Sequence, residues 1–238
     1  MSGHSKWATI KRKKALTDAK KGKVFTKIIR EITVAARDGG GDPAANSKLR
    51  LLIEKAKSEN MPLDNITRGI KKGTGELAGE NYESIMYEGY GPHGVAIIVE
   101  TLTSNKNRTA SDIRHFFTKN GGKLGEIGSV NWMFEKKGVL SVKSENLTED
   151  DIIEKLIDYN IDDISLDDNV FHIFCSIEDL EKLKKVAESK NLKIESAEIS
   201  WVPKNPMTIN EEDEAKVYKL LEELEELDDV NSVFANLK

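Results

Sequence analysis

The sequence predicts a multidomain α+β protein: an N-terminal three-helix domain, then two α+β domains, the last a ferredoxin-like β-α-β-β-α-β unit inserted into the middle one. Three observations carry this. Between Asp18 and Gly73 apolar residues recur at helical spacing. From Tyr82 onward, short apolar runs of strand length alternate with helical patterns. Between Gly138 and Val202 the order β-α-β-β-α-β can be read in a single pass.

The first helix is predicted from Asp18 to Arg37 and stops at Gly39-Gly40-Gly41, a strong C-terminal signal. Val24, Phe25, Ile28, Ile29, Ile32, Ala35 and Ala36 form one stripe. Lys20, Lys23, Lys27, Arg30 and Arg37 fall on the other side, nearly half a turn away at about 100° per residue. This helix is therefore expected to pack inward with isoleucines and to turn a basic ridge outward. The second helix is expected to start with Asp42 as N-cap and Pro43 in the first helical position. It buries Leu49, Leu52, Ile53 and Ala56 and ends at Asn60. The third runs from Pro62 to Gly73, with Ile66 and Ile70 inward and Arg68 and Lys72 on another face.

Next come a strand in IMYEGYGPHG, a Gly-Pro turn, and a buried strand in VAIIVETLT. A helix over Asn107–Lys119 buries Ala110, Ile113 and Phe117, leaving Arg108, Asp112, His115 and Lys119 outside. SVNWMFE reads as a strand. Then GVLSVK, DDISL, VFHIFCS and KIESAEISWV are strands, separated by helices in EDDIIEKLIDY and EDLEKLKKVAES. A last helix, EEDEAKVYKLLEELEEL, turns Val217, Leu220, Leu221 and Leu224 inward, its acidic run reading as a solvated face, and VNSVFANL closes the chain. The expected division is a basic helical domain over 1–78, a discontinuous α+β domain from 79–136 and 203–238, and the ferredoxin-like domain over 137–202. The linkers are placed near Lys136–Gly138 and Pro203–Pro206.

Composition narrows the function classes. With 238 residues, 38% apolar and 32% charged, the chain can bury real cores. Its longest apolar run, Val95 to Val99, is far short of the roughly 20 residues a membrane helix needs, so no membrane role is expected. A single cysteine, Cys175, excludes an internal disulfide and a multi-cysteine zinc site, and its apolar setting reads as core filler. The N-terminus has no apolar signal region. Its acid-poor start has the look of a mitochondrial presequence, but lysine outnumbers arginine and the segment runs straight into patterned structure, so a cytoplasmic location is expected.

Charge is regional. Residues 1–72 carry 18 Lys and Arg against 7 acids, a net of +11, within a chain whose net charge is −5. The remainder, 18 against 34, is −16. Such a separation suits a basic module that meets a polyanion. The segment SKWATIKRKK interleaves Lys6, Lys11, Arg12, Lys13 and Lys14 with Trp7 and Ile10. Lysines neutralise phosphates and release counterions, while a tryptophan can stack on a base or anchor the segment. The candidate nucleic-acid-binding residues are these five cations with Trp7, then Lys20, Lys21, Lys23, Lys27 and Arg30, with Arg108 and Lys119 as a second contact. GGGD and KKGTGE lack a strand–loop–helix setting and read as caps and turns, not phosphate loops. His4, His93, His115 and His172 lie in four different contexts, and no nucleophile elbow, HExxH or paired-carboxylate motif occurs. No catalytic residue, metal site, cofactor or small-molecule substrate is expected.

Four stretches together resemble one family over the full chain: GHSKWATIKRKKALTDAKKGKVFTKIIREI, EGYGPHGVAIIVETLTSNKNRT, NGGKLGEIGSV and DDVNSVFANL. They resemble the YebC/PmpR family. The resemblance implies one helical and two α+β domains around a central cleft, and a probable transcriptional regulator that binds DNA. Mitochondrial relatives are translational activators of cytochrome c oxidase and other members act on ribosomes, so ribosomal RNA or the ribosome is the alternative partner. The chain departs from the family pattern at Lys21 and Lys106, where arginine is common, at Ser104, where aspartate is common, and at His93, where glycine is common. Lysine keeps the charge but lacks arginine's bidentate fork. The expected function is a DNA-binding transcriptional regulator that grips the phosphate backbone with a basic N-terminal tail and helix.

Overall fold

The computed structural model describes residues 18–238 apart from Asn146, Ile157 and Asp168, with side chains from residue 22 onward. It is an α+β multidomain arrangement. Among the described residues, seven α-helices surround two four-stranded antiparallel sheets.

The helical region comprises α1 (Asp18–Gly39), α2 (Ser47–Ser58) and α3 (Leu63–Gly73). Ile28, Ile32, Ala35 and Ala36 of α1 meet Leu49, Ala56, Met61 and Ile66 in one core. Glycine permits the close crossing of α1 and α3. A Cβ at Gly73 would run into the carbonyl oxygen of Thr33 and the Ala36 methyl. The N-cap of α2 is Asn46, not Asp42. Its side chain accepts from Leu49 N–H at 3.0 Å while its amide donates to the carbonyls of Ala35 and Gly40, both at 2.9 Å. One residue thus starts α2 and closes α1. Asp42 instead accepts from Ala44 N–H at 2.9 Å, forming a turn ahead of the helix.

The first sheet takes β1 (Glu83–Tyr90), β2 (Ala96–Thr103), the short β3 (Lys123–Leu124) and β8 (Val230–Ala235), in the order β3-β1-β2-β8. One face is covered by α4 (Lys106–Lys119) and α7 (Glu211–Glu225), which bury Ile113, Phe117, Val217, Leu220, Leu221 and Leu224 on Val95, Ile97, Val99 and Val233. The Gly-Pro turn between β1 and β2 places His93 at φ 59°, a left-handed conformation that glycine adopts without cost, which explains glycine's suitability there.

The second sheet takes β4 (Phe134–Lys143), β5 (Asp163–Asp167), β6 (Val170–Cys175) and β7 (Ile194–Pro203), in the order β5-β6-β4-β7. Helix α5 (Glu149–Leu156) joins β4 to β5, and α6 (Leu180–Ser189) joins β6 to β7. The connectivity is the ferredoxin-like one that the sequence predicts. One boundary differs. Phe134 and Glu135 pair with Pro203 and Val202 in the second sheet, so Lys136–Gly138 lies inside a continuous strand and is no linker. The sequence SVNWMFE is instead a loop, a 3-10 turn over Asn131–Met133 and the start of β4. The outer ends of β4 and β7 reach the second face of the first sheet, where Phe134 and Val130 pack with Ala96 and Ile98 beside Trp201. Separately, α2 meets α6 through the ion pairs Arg50–Glu181 and Lys184–Glu54.

Candidate nucleic-acid interface

Lys6, Trp7, Lys11, Arg12, Lys13 and Lys14, with the side chains of Lys20 and Lys21, lie outside the described residues. The remaining five candidates converge on one short acidic stretch, the end of α7 and the turn leading into β8. Lys23 ion-pairs with Glu226 at 2.9 Å and also donates to that residue's carbonyl at 3.1 Å. Lys27, one turn on, donates to the Glu225 carbonyl at 2.5 Å. Helix α7 has no basic residue in its own last turn. Its unsatisfied carbonyls and negative dipole end therefore receive lysines from α1.

Arg30 completes the stripe at i, i+4, i+7. Its guanidinium donates to the Asp228 carbonyl at 2.6 Å and to Asp229 Oδ1 at 3.1 Å. The other oxygen of Asp229 accepts from Arg108 at 2.7 Å, Thr109 Oγ1 at 2.7 Å and Thr103 Oγ1 at 3.2 Å. Asp229 is 6% exposed. Burial pushes its carboxyl up, but the hydrogen bonds from Arg108 and Thr109, with the nearby Arg108 and Arg30 charges, hold it below the usual carboxylate range. Lys119 pairs with Glu223 at 2.8 Å, and Asn120 donates to the other oxygen of that carboxylate at 2.7 Å. The Lys119 hydrogen bond, then that of Asn120, holds Glu223 below its ordinary range.

The outward basic ridge predicted for α1 is thus, at Lys23, Lys27 and Arg30, a seam between helical region and first sheet. Sequence periodicity set these residues opposite the isoleucines but could not say what they face. Asp229 and Glu223 were not singled out in the sequence because an acidic stretch at a helix end reads as solvated surface. Among the described residues, exposed cations without an ion pair include Arg68, Lys71 and Lys72 along α3.

A second feature, also unforeseen, is the loop from Gly125 to Met133. Glu88 of β1 is 2% exposed, and its carboxylate accepts from the backbone N–H groups of Gly128 (2.8 Å), Val130 (2.7 Å) and Asn131 (2.8 Å). The phenol of Tyr90 and the indole N–H of Trp132 both donate to the Ser129 carbonyl, at 3.0 and 3.1 Å. The loop is rigidly held, yet Ile127 is 86% and Trp132 63% exposed. Among the described residues, the three histidines do not assemble into a site. His93 lies beside Asp213, His115 against Phe116, and His172 is buried beside Ser141. Among the described residues, no group of three His, Cys, Asp or Glu side chains could hold a metal, and no helix is long and apolar enough to cross a membrane.

Two family models match nearly the whole chain: the TACO1/YebC protein N-terminal domain over residues 5–76, and the TACO1/YebC second and third domain over residues 82–237. The chain belongs to the TACO1/YebC family. A probable transcriptional regulatory protein from Chlorobaculum parvum is 50% identical over 238 residues, covering 100% of this chain and 95% of its own. Another of the same name from Desulfotalea psychrophila is 52% identical over 237 residues, covering 99% and 95%. A solved structure of a conserved hypothetical protein, Aq1575, from Aquifex aeolicus matches with a TM-score of 0.89 at 48% identity, covering 98% of this chain and 97% of its own. At family level the role is a regulatory one.

Proposed function

We propose that this TACO1/YebC member is a cytoplasmic nucleic-acid-binding regulatory protein, a DNA-binding transcriptional regulator, whose N-terminal basic segment takes the phosphate backbone. The observation that carries the reading is the partition of charge, +11 over residues 1–72 against −16 in the rest. The regulatory names of its relatives support it. Because Lys23, Lys27 and Arg30 are engaged with the acidic end of α7, the phosphate load falls on Lys6, Lys11, Arg12, Lys13 and Lys14, with Arg68, Lys71 and Lys72 as an accessory face.

Neutralising about five phosphates gives a slope of log affinity on log salt near −4 to −5. The double substitution Lys11→Glu, Lys13→Glu should remove most duplex affinity and leave thermal stability nearly unchanged. Salt-independent affinity, or a matching loss of stability, overturns the assignment of the segment to phosphates. The held, exposed Trp132 favours a second reading, in which the target is RNA on the ribosome. Co-sedimentation with ribosomes against enrichment on promoter DNA separates the two.

A further inference from the structure

We propose that the loop Gly125–Met133 is a base-stacking platform that takes an unpaired nucleobase, so that the protein engages single-stranded or locally opened nucleic acid. This rests on the nucleic-acid reading above and specifies the form of its target.

The loop is built as a display. A carboxylate withdrawn from water is costly unless fully hydrogen-bonded. Glu88 is buried, and its carboxylate accepts from three backbone N–H groups of the loop, those of Gly128, Val130 and Asn131. Tyr90 and Trp132 share a single carbonyl acceptor, which ties the two aromatic rings to the same point of the loop. Nothing in this arrangement buries Ile127 or Trp132, whose exposures of 86% and 63% are far above those of the core. A rigid loop carrying large exposed apolar side chains marks a recognition surface.

The chemistry around it selects the partner. Lys123 is exposed, has no ion pair among the described residues, and stands directly opposite Tyr90 in the β1–β3 register, so both side chains project from the same face. Lys204 donates to the Trp132 carbonyl at 3.1 Å and, among the described residues, to no carboxylate. Against these cations stands Glu126 within the loop, while the nearby Glu135 is engaged with Lys137. Aromatic faces flanked by lysines suit an unpaired base whose phosphates run alongside, with Ile127 offering further apolar contact to it. Inside a duplex both faces of a base pair are covered by its stacked neighbours, so none is free for Trp132.

The test uses the full chain with fluorescently labelled oligonucleotides of one sequence and length: single-stranded DNA, single-stranded RNA and blunt duplex DNA. Trp132→Ala combined with Ile127→Ser should lower single-strand affinity about tenfold or more, as expected for one lost stacking contact, and leave duplex affinity within about twofold. Trp132→Phe should restore most of the loss. The DNA and RNA arms identify which strand type is preferred. Equal losses on single strand and duplex, no loss on single strands, or no rescue by phenylalanine overturn the platform while leaving the proposed function standing. If the unsubstituted protein binds none of the three, the nucleic-acid reading fails and takes the platform with it. Unchanged melting temperatures of the variants exclude misfolding as the cause.

Discussion

Asp229 draws donors from α1, from the end of β2 and from α4, so this one carboxylate joins the helical region to the first sheet. Replacing it with alanine leaves the half-buried Arg30 facing no carboxylate and takes away the acceptor of the Thr103 hydroxyl, while Thr109 Oγ1 keeps Thr103 Oγ1 and the Asn105 carbonyl within reach. The expected loss is about 2–4 kcal/mol, by analogy with other broken buried pairs, read by urea unfolding. Its folded titration is depressed, so its contribution is complete above about pH 4, the unfolded value, and fades as pH falls through that range towards the folded one. Asp229→Asn should therefore flatten the acid side of the stability profile, and an unchanged profile would show that the carboxylate is not the titrating link. Cys175 makes a contrasting case. It is fully buried, and burial above all raises its thiol to about 11. A thiol reagent at pH 8 should label it only on unfolding. Fast labelling of the native protein would contradict its place in the core, a place that the apolar run VFHIFCS already made legible.

Helix α1 carries two stripes, and its packing differs from what one sequence could reveal. The isoleucine stripe enters the core as expected, because apolar periodicity has a single favourable destination. The basic stripe had two, water or an acidic partner, and the fold chose the partner for Lys23, Lys27 and Arg30. Lys23→Gln and Lys27→Gln should each cost about 0.3–1 kcal/mol, the range for a cation at a helix C-terminus. Denaturant titration of each variant against Lys11→Glu, Lys13→Glu checks the distinction, since only the α1 changes should lower stability. Equal stability throughout would mean that the seam contributes nothing. The β4 boundary teaches a similar lesson. Gly138 suggested a break, but its backbone pairs with Cys175 on one side and Ile199 on the other, and a Cβ there would crowd Leu180 and the Cys175 sulfur. A glycine needed for close packing looks, in sequence, like a glycine in a linker.

Over the whole molecule, described cations of the basic N-terminal part meet the acidic remainder of the chain. Glu223 and Glu226 hold Lys119 and Lys23, cations that could otherwise face phosphates. Glu223→Gln with Glu226→Gln should therefore raise nucleic-acid affinity and steepen the salt slope by up to about 1.8, the increment for two more neutralised phosphates. Affinity titrations over a salt series read both effects, and an unchanged slope would mean that these carboxylates do not compete with phosphate. The sequence by itself determined the helices and strands, with few exceptions, the ferredoxin-like order of the second sheet, the inward apolar faces and the regional imbalance of charge. All of these depend on periodicity, capping and composition, which act over a few residues or over simple totals. Only the tertiary structure decided where the charges end. The partners of Lys23, Lys27 and Arg30 lie 198 to 203 residues away. The Glu88-held display of Trp132 and Ile127 likewise depends on a strand and a loop some 40 residues apart. A side chain's charge is written in its residue type, but whether water, a carboxylate or a phosphate neutralises it depends on what the folded chain brings within about 4 Å.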